Sequence, residues 1–248
     1  MSKIAMVTGA TSGIGWATAE ALAKEGYQLI ICGRRKERLQ ELSAKVDVKT
    51  LELLFDVSDR AAVAEALHSL PTEWKQIDVL INNAGNAHGL GKIHEGNIDD
   101  WDAMIDINVK GLLYVTKAIV PNMVERGAGH VVNIGSIAGK EAYPGGNVYC
   151  GSKHAVDAIN TGMRMDLNGT GVKVSQVCPG LVETEFSLVR FKGDKDRAKV
   201  AYEGFDALRA EDIADLICFI VTRPAHVNIA DTLILPAAQA SPTLVAKN

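Results

Sequence analysis

Short apolar runs alternate along the chain with longer segments in which apolar residues recur at helical spacing. The runs cover residues 3–9, 27–33, 48–57, 77–85, 129–136, 172–180 and 231–235, and the helical segments cover 14–26, 36–46, 60–70, 101–126, 148–168 and 210–221. The runs are continuously apolar, which is typical of parallel strands buried on both faces. The pattern therefore predicts an α/β fold, a doubly wound parallel sheet with helices on both faces.

A glycine and a proline indicate where two of the helical segments end or bend. Gly26 follows the first helical segment and is a suitable C-terminal cap. Pro121 lies inside the segment 101–126, where its ring and missing N–H should kink or shorten the helix.

Composition and charge narrow the class of protein. The 248 residues, 47% of them apolar, contain no low-complexity linker, so we expect one domain over 1–248. The net charge of −4 disfavours nucleic acid as a partner. No signal peptide or membrane-length apolar run is recognisable, which predicts a cytoplasmic protein with no membrane contact. The four cysteines and six histidines lack metal-ligand spacing, so we expect buried free thiols and no metal.

A glycine-rich turn follows the first strand. In "TGATSGIG", Gly9, Gly13 and Gly15 lead directly into a helix. Such a turn lets the backbone approach a pyrophosphate, and the helix N-terminus offers N–H groups to the anion. The alternative is a plain strand-to-helix connection, but the position in the chain favours a dinucleotide site.

The second strand ends in two arginines, Arg34 and Arg35, where NAD-selective folds carry an acid. A guanidinium can bind a 2′-phosphate through two hydrogen bonds, whereas a carboxylate would repel it. This predicts NADP(H) rather than NAD. The alternative, a solvated basic helix start, is our interpretation of Lys36 and Arg38.

Two further strand ends carry candidate cofactor contacts. Asp56 closes the third strand and could accept from an adenine amino group, or it could cap the next helix. Ser58 or Asp59 is better placed for that cap. The segment "NNAG" (82–85) ends the fourth strand with short residues that suit close packing against a ribose.

Three polar residues stand out in "GSIAGKEAYPGGNVYCGSKH" (135–154). Tyr149 and Lys153 are four residues apart, which places them on one helix face, and Ser136 follows an apolar strand. Alone, the pair would be read as a surface contact. Next to a dinucleotide site, the three residues become candidates for proton transfer to a bound substrate.

The set "TGATSGIG", "NNAG", "GS", "YCGSK" and "PGLVET" resembles the short-chain dehydrogenase/reductase family from residue 3 to about 235. The resemblance implies a single-domain Rossmann fold with a seven-stranded parallel sheet. It also implies a homotetramer built through the helices near 101–126 and 148–168. The segments "GGNVYCGSK", "TEFSLVRFKGD" and "RPAHVNI" resemble one group of that family, the NADP-dependent 3-hydroxy acid dehydrogenases.

The resemblance implies roles for individual residues. Tyr149 would be the acid/base, Ser136 would bind the substrate oxygen, and Lys153 would favour the phenolate and bind the nicotinamide ribose. Asn108 would hold a water that links Lys153 to solvent, although an asparagine near a helix start can also be a simple cap. The implied cofactor contacts are Gly9, Thr11, Ser12, Gly13, Ile14, Gly15, Arg34, Arg35, Asp56, Val57, Asn83, Ala84, Gly85, Tyr149, Lys153, Pro179, Gly180, Val182 and Thr184.

A short 3-hydroxy acid needs a cation for its carboxylate. Arg190 is the first candidate and Lys192 the second, both on a predicted substrate-covering segment at 186–205. Alternatively, both residues only solvate that segment. Two functional alternatives remain: a reductase of neutral ketones or aldehydes, and a sensor that binds NADP(H) without catalysis. The C-terminal tail, residues 238–248, is either a subunit contact or disordered.

Overall fold

The computed structural model describes residues 2–248, and its centre is one parallel sheet. The strands are β1 (Ile4–Thr8), β2 (Gln28–Gly33), β3 (Thr50–Leu54), β4 (Val79–Asn82), β5 (Gly129–Ile134), β6 (Val172–Pro179) and β7 (Asp231–Ile234). Their order across the sheet is β3-β2-β1-β4-β5-β6-β7, and every neighbouring pair is parallel. The seven-stranded, doubly wound sheet is therefore confirmed.

Helices cover both faces of this sheet. They are α1 (Gly13–Lys24), α2 (Lys36–Lys45), α3 (Arg60–His68), α4 (Ile98–Ile105), α5 (Leu112–Arg126), α6 (Asn147–Asp166), α7 (Phe186–Arg190), α8 (Lys195–Val200) and α9 (Ala210–Val221). Apolar residues of α1, α2 and α9 pack on one face, and those of α3, α5 and α6 pack on the other. None of the described helices is long and apolar enough to cross a membrane.

The helix predicted at 101–126 is longer and less regular than expected. It begins at Ile98, with Asn97 as its cap, and passes through a π-helical turn at Asp106–Gly111 into α5. The predicted shortening at Pro121 is wrong, because α5 continues to Arg126. Burial of the α5 face around Pro121 offsets the one hydrogen bond that the proline cannot donate.

Local signals at other element ends are confirmed. Gly26 follows the end of α1 with a φ of +82°. Asp59 caps α3 by accepting from Ala61 N and Ala62 N, so capping is not the role of Asp56. The four cysteines are buried and free.

The C-terminal tail folds back on the rest of the chain. Gln239 Oε1 accepts from Leu181 N at 2.9 Å. At the end of the tail, Asn248 N donates to Gly204 O at 2.8 Å. The tail thus contacts both the loop after β6 and the segment after α8.

Candidate active site

A cleft of about 750 Å³ lies at the C-terminal ends of the strands. Most of the predicted site residues line it: Gly9, Thr11, Ser12, Gly13, Ile14, Arg34, Arg35, Asp56, Val57, Asn83, Ala84, Gly85, Tyr149, Lys153, Pro179, Gly180, Val182, Thr184 and Arg190. Three predicted residues are not among those that line it, namely Gly15, Ser136 and Asn108. The topology thus brings residues from distant parts of the chain to one cleft.

The glycine turn forms one end of this cleft. Gly9 has a φ of +66°, a left-handed conformation that favours glycine. A Cβ on Gly15 would lie 2.4 Å from Gly9 O and from Asn83 Nδ2, so only glycine allows α1 to approach the turn. Ser12 precedes α1 without a side-chain cap, which leaves first-turn N–H groups for an anion. The turn therefore fits a pyrophosphate.

The two arginines after β2 have different surroundings. Arg34 is largely exposed, and its Nη1 lies 3.2 Å from Asp56 Oδ2. Arg35 instead donates from Nη2 to Thr11 O at 2.9 Å and from Nη1 to Glu185 at 3.0 Å. Arg34 is thus the more available cation at the cleft mouth, while Arg35 supports the glycine turn.

Asp56 carries its charge at neutral pH. Burial raises the pKa of its carboxyl, but hydrogen bonds from the backbone and hydroxyl of Ser58, together with Arg34, outweigh burial and hold that pKa below its usual value. Its Oδ1 accepts from Ser58 N at 2.9 Å and from Ser58 Oγ at 2.7 Å. The carboxylate is therefore a fixed acceptor at the end of β3.

The "NNAG" segment is tied to the end of β1. Asn83 Nδ2 donates to Thr8 O at 2.8 Å, and Thr8 Oγ1 accepts from the backbone N–H groups of Asn83 and Ala84. The Asn83 side chain is thus committed to the glycine turn. Ala84 and Gly85, rather than the Asn83 amide, are left to face a ligand in the cleft.

Tyr149 and Lys153 lie one helical turn apart on α6, and both side chains are buried. Burial raises the pKa of the Tyr149 phenol, while a hydrogen bond with Ser136 and the nearby Arg190 act in the opposite direction. Burial lowers the pKa of Lys153 to about 8, and its Nζ donates to Ile134 O at 2.9 Å.

Asn108 projects from the π-helical turn into the interior. Its Oδ1 accepts from Asn86 N at 2.8 Å, and its Nδ2 donates to Asn86 O at 2.9 Å and to Ser152 Oγ at 3.0 Å. It lies inside a continuous helix, so the reading as a helix cap is wrong. A Cβ on Gly85 would lie 3.2 Å from Asn108 Oδ1 and 3.6 Å from Lys153 Nζ, so both groups flank Gly85.

The two candidate cations for a carboxylate have different positions. Arg190 ends α7 and lines the cleft, with its guanidinium carbon 5.3 Å from the ring centroid of Tyr149. Lys192 does not line this cleft but borders a second cavity of about 280 Å³, which Tyr149 and Arg190 also line, and its Nζ lies 2.9 Å from Asp100 Oδ2. Of the two, only Arg190 lines the cleft and contacts the ring of Tyr149.

Several residues of the cleft were not identified from the sequence. Tyr143 accepts from Arg190 Nη2 at 2.9 Å, and the ring centroid of Phe186 lies 5.8 Å from that of Tyr149. Tyr202 and Gln239 also line the cleft. No sequence pattern marks Tyr202 or Gln239 as residues of the cleft.

Behind Ser136, an ammonium group lies between two carboxylates. Lys140 Nζ binds Asp157 Oδ1 at 2.5 Å and also binds Asp231. Asp157 and Asp231 form, with Cys178, the cluster of potential metal-ligand atoms found among residues 2–248. Because the Lys140 ammonium binds both carboxylates, this cluster holds the Ser136 turn against α6 and β7.

The order of the strands, the glycine turn and the buried serine, tyrosine and lysine define a dinucleotide-dependent oxidoreductase fold and site. The chain belongs to the short-chain dehydrogenase family, whose model matches residues 3–194.

Individual relatives are similar over nearly the whole chain. The NADP-dependent 3-hydroxy acid dehydrogenase of Salmonella typhi is 48% identical over 237 residues, which cover 95% of this chain and 96% of the relative. Sulfoacetaldehyde reductase 2 of Chromohalobacter salexigens is 45% identical over 243 residues, or 97% and 96% of the two chains. The closed form of a serine dehydrogenase complexed with NADP+ superposes with a TM-score of 0.95 at 45% identity and covers 99% of each chain.

Proposed function

We propose that this chain is an NADP-dependent oxidoreductase that interconverts a short 3-hydroxy acid and its 3-oxo acid or semialdehyde. Candidate substrates are L-allo-threonine, serine, 3-hydroxyisobutyrate and 3-hydroxypropionate. The observation that carries this proposal is the Arg190 guanidinium 5.3 Å from the Tyr149 ring, within the cleft. A cation at this distance suits a substrate with an anionic group close to its reacting carbon.

The residues of the cleft fit NADP(H). The uncapped start of α1 suits the pyrophosphate, Arg34 suits the 2′-phosphate, and Asp56 suits the adenine. Lys153, Gly180 and Thr184 are candidates for the nicotinamide end. When bound, NADP+ supplies the hydride acceptor for oxidation and NADPH the donor for reduction.

Tyr149 exchanges a proton with the substrate oxygen. Because burial raises its pKa, the phenol is protonated at neutral pH and can donate to a carbonyl in the reductive direction. In oxidation, the Tyr149 phenol first gives up its own proton, and the phenolate then takes the hydroxyl proton of the substrate. Lys153, with a pKa of about 8, passes the released proton toward solvent near Asn108. Ser136 hydrogen-bonds the same substrate oxygen and so keeps it next to Tyr149.

The Arg34 contribution can be measured directly. Its loss should raise the KM for NADP+ by about tenfold or more, since a charge-assisted hydrogen bond to phosphate is lost. NAD+ has no 2′-phosphate, so the KM for NAD+ should change little. An unchanged ratio of activity with NADP+ to activity with NAD+ in Arg34→Ala, compared with the unmodified protein, would contradict this assignment.

The substrate proposal is tested by Arg190→Ala. The variant should raise KM for 3-hydroxypropionate by at least about tenfold and leave the rate with 1,3-propanediol nearly unchanged, because only the acid has a carboxylate. Lys192→Ala is the matched control, since Lys192 is paired with Asp100 at the second cavity. An unchanged acid preference in Arg190→Ala would show that Arg190 does not bind the carboxylate.

A sulfonate is the second candidate for the anionic group. The relative from Chromohalobacter salexigens is named a sulfoacetaldehyde reductase, and a guanidinium binds sulfonate by the same donors as carboxylate. NADPH consumption with sulfoacetaldehyde and with malonic semialdehyde distinguishes the two. If the substrate were a neutral ketone or aldehyde, Arg190 would have no role in binding it. If the protein were a sensor that binds NADP(H) without catalysis, the contact between Ser136 and Tyr149 would have no role.

We further propose one domain over 1–248, with residues 186–205 covering the substrate and the tail 238–248 supporting that segment. The contacts of Gln239 with Leu181 and of Asn248 with Gly204 favour this division. Removal of 238–248 should raise KM for cofactor and substrate while the rest of the chain stays folded.

The proposed assembly is a homotetramer. Exposed apolar side chains on α5, α6, α9 and β7 support it, among them Met165, which is 72% exposed, and Phe219, which is 50% exposed. Light scattering should give about four times the chain mass of 26.5 kDa. A monomer at micromolar concentration would reject the assembly.

The proposed location is the cytoplasm. All four cysteines are free thiols, as expected in a reducing compartment. Cell fractionation tests this, and recovery from a membrane or secreted fraction would contradict it.

A further inference from the structure

Tyr143 joins the turn before α6 to the end of α7. Its hydroxyl accepts a hydrogen bond of 2.9 Å from Arg190 Nη2, although the two residues are 47 positions apart. The guanidinium carbon of Arg190 also lies 5.6 Å from the centroid of the Tyr143 ring, within the range of a cation–π contact. Tyr143 therefore contacts the Arg190 head group through both its ring and its hydroxyl.

A second element holds Arg190 from the loop after β4. Arg190 Nε donates to Gly89 O at 3.2 Å, and Gly89 N donates in return to Arg190 O at 2.9 Å. Two of the three guanidinium nitrogens are thus occupied. Within residues 2–248, Nη1 is the remaining guanidinium nitrogen and has no hydrogen-bond partner.

Tyr143 is itself held in place by the turn at Gly146. A Cβ on Gly146 would come within 2.3 Å of the Tyr143 ring, so the ring packs directly on the turn. Gly146 N also donates to Tyr143 O at 3.1 Å. Burial raises the pKa of the Tyr143 phenol, with Arg190 acting in the opposite direction, so the hydroxyl stays neutral over the working pH range.

We propose that Tyr143 is a specificity-determining positioning residue, which fixes Arg190 so that Nη1 binds the anionic group of the substrate beside Tyr149. A free arginine side chain has many rotamers, and holding it in advance lowers the entropy lost when an anion binds. A neutral alcohol makes no use of Nη1 and gains nothing from this arrangement. The inference rests on the proposed function, since it assumes an anionic substrate.

Tyr143→Phe tests the proposal because it keeps the ring and removes only the hydroxyl. With 3-hydroxypropionate, KM should rise by about tenfold, as expected for loss of a hydrogen bond to a charged group, while kcat stays within about twofold. The rate constant kcat/KM for 1,3-propanediol should not change. Propionate, which has the carboxylate but no alcohol, should become a weaker competitive inhibitor by a similar factor.

Tyr202→Phe is the matched control on the same segment. It removes a hydroxyl that binds Ser187 of α7 at 2.6 Å and does not touch Arg190. Whatever its effect on each rate, it should leave the ratio between acid and neutral substrate unchanged. That ratio separates positioning of Arg190 from a general loosening of α7.

Two results would overturn the inference. An unchanged KM for the acid in Tyr143→Phe shows that the hydroxyl does not position Arg190. An equal loss with acid and diol shows that it supports the cleft as a whole. If Arg190→Ala abolishes the acid preference and Tyr143→Phe does not, only this inference fails. If the unmodified protein turns over 1,3-propanediol as well as the acid, the proposed substrate class itself is rejected.

Discussion

The surroundings of Tyr149 favour the protonated form of its phenol. Its side chain is buried against Phe186, and burial raises the pKa of the phenol more than Ser136 and Arg190 lower it. Lys153, one turn away, has a pKa lowered by burial to about 8, so it changes protonation in the working pH range. At the scale of single residues, these pKa shifts support the proposal that the phenol donates the proton and that the lysine sets the pH response.

Tyr149→Phe should lower kcat by about 1,000-fold and leave NADPH binding within about threefold, because only the transferable proton is lost. Steady-state turnover measures the loss of kcat, and a fluorescence titration with NADPH measures cofactor binding. Tyr27→Phe, in the core cluster on the opposite end of the sheet from the cleft, is the control and should keep full turnover. Full turnover in Tyr149→Phe would refute the proton-transfer role.

The pH profile of reduction tests Lys153. If the ammonium form supports proton donation by Tyr149, kcat/KM for the carbonyl substrate should fall above pH of about 8, the pKa to which burial lowers Lys153. Lys153→Arg, which keeps its charge at all these pH values, should lose that limb even if its overall rate is lower. A limb that persists unchanged in Lys153→Arg belongs to another group.

At the scale of elements, the π-helical turn at Asp106–Gly111 matters most for the site. It directs Asn108 inward, where the side chain forms two hydrogen bonds with the Asn86 backbone and one with Ser152. A regular helix would rotate this residue away from the loop after β4. The turn thus couples the long helix to the strand end that faces the cofactor.

Asn108→Ala should lower the free energy of unfolding by roughly 2 kcal/mol, because it leaves buried backbone groups of Asn86 without partners. It should also lower kcat. Asn122→Ala, on the same long helix, removes a hydrogen bond to Arg126 at the surface and should leave kcat unchanged. Chemical denaturation and turnover of the pair separate the two roles, and equal kcat for both variants would contradict a role for Asn108 in the site.

The elements also show what a sequence can and cannot predict. The strands and the glycine turn depend on local patterns, and those patterns were sufficient to predict them, whereas the number of strands followed only from the resemblance to a family. The Tyr143–Arg190 bond and the Gln239–Leu181 bond join residues 47 and 58 positions apart, so no local pattern encodes them. The shortening expected at Pro121 does not occur, because α5 buries Ile119 and Met123 on either side of the proline and continues to Arg126.

At the scale of the molecule, one buried histidine makes the fold acid-sensitive. His130 of β5 is 3% exposed, and burial, with Lys173 nearby, lowers its pKa to about 3. In the unfolded chain its pKa is near 6.5, so the unfolded state binds the extra proton between these values. The stability that neutral His130 allows is therefore complete above pH of about 6.5 and is lost as the pH falls.

The expected cost is about 2 kcal/mol of unfolding free energy between pH 7 and pH 5, in addition to any contribution from other groups. His130→Gln keeps a polar partner for Ser175, which His130 contacts at 2.8 Å, and it should remove this part of the slope. Urea denaturation of both proteins at the two pH values measures the difference. An identical slope in the variant would show that His130 does not titrate as described.

The most direct test of the proposed activity is the initial rate of NADPH formation by the unmodified protein. The assay compares 3-hydroxypropionate, serine and L-allo-threonine with 1,3-propanediol, each with NADP+ and with NAD+. Arg34 at the cofactor end and Arg190 beside Tyr149 predict turnover that requires NADP+ and favours the acids over the diol. Turnover of the diol at rates equal to the acids, or equal use of NAD+, would contradict the proposed function.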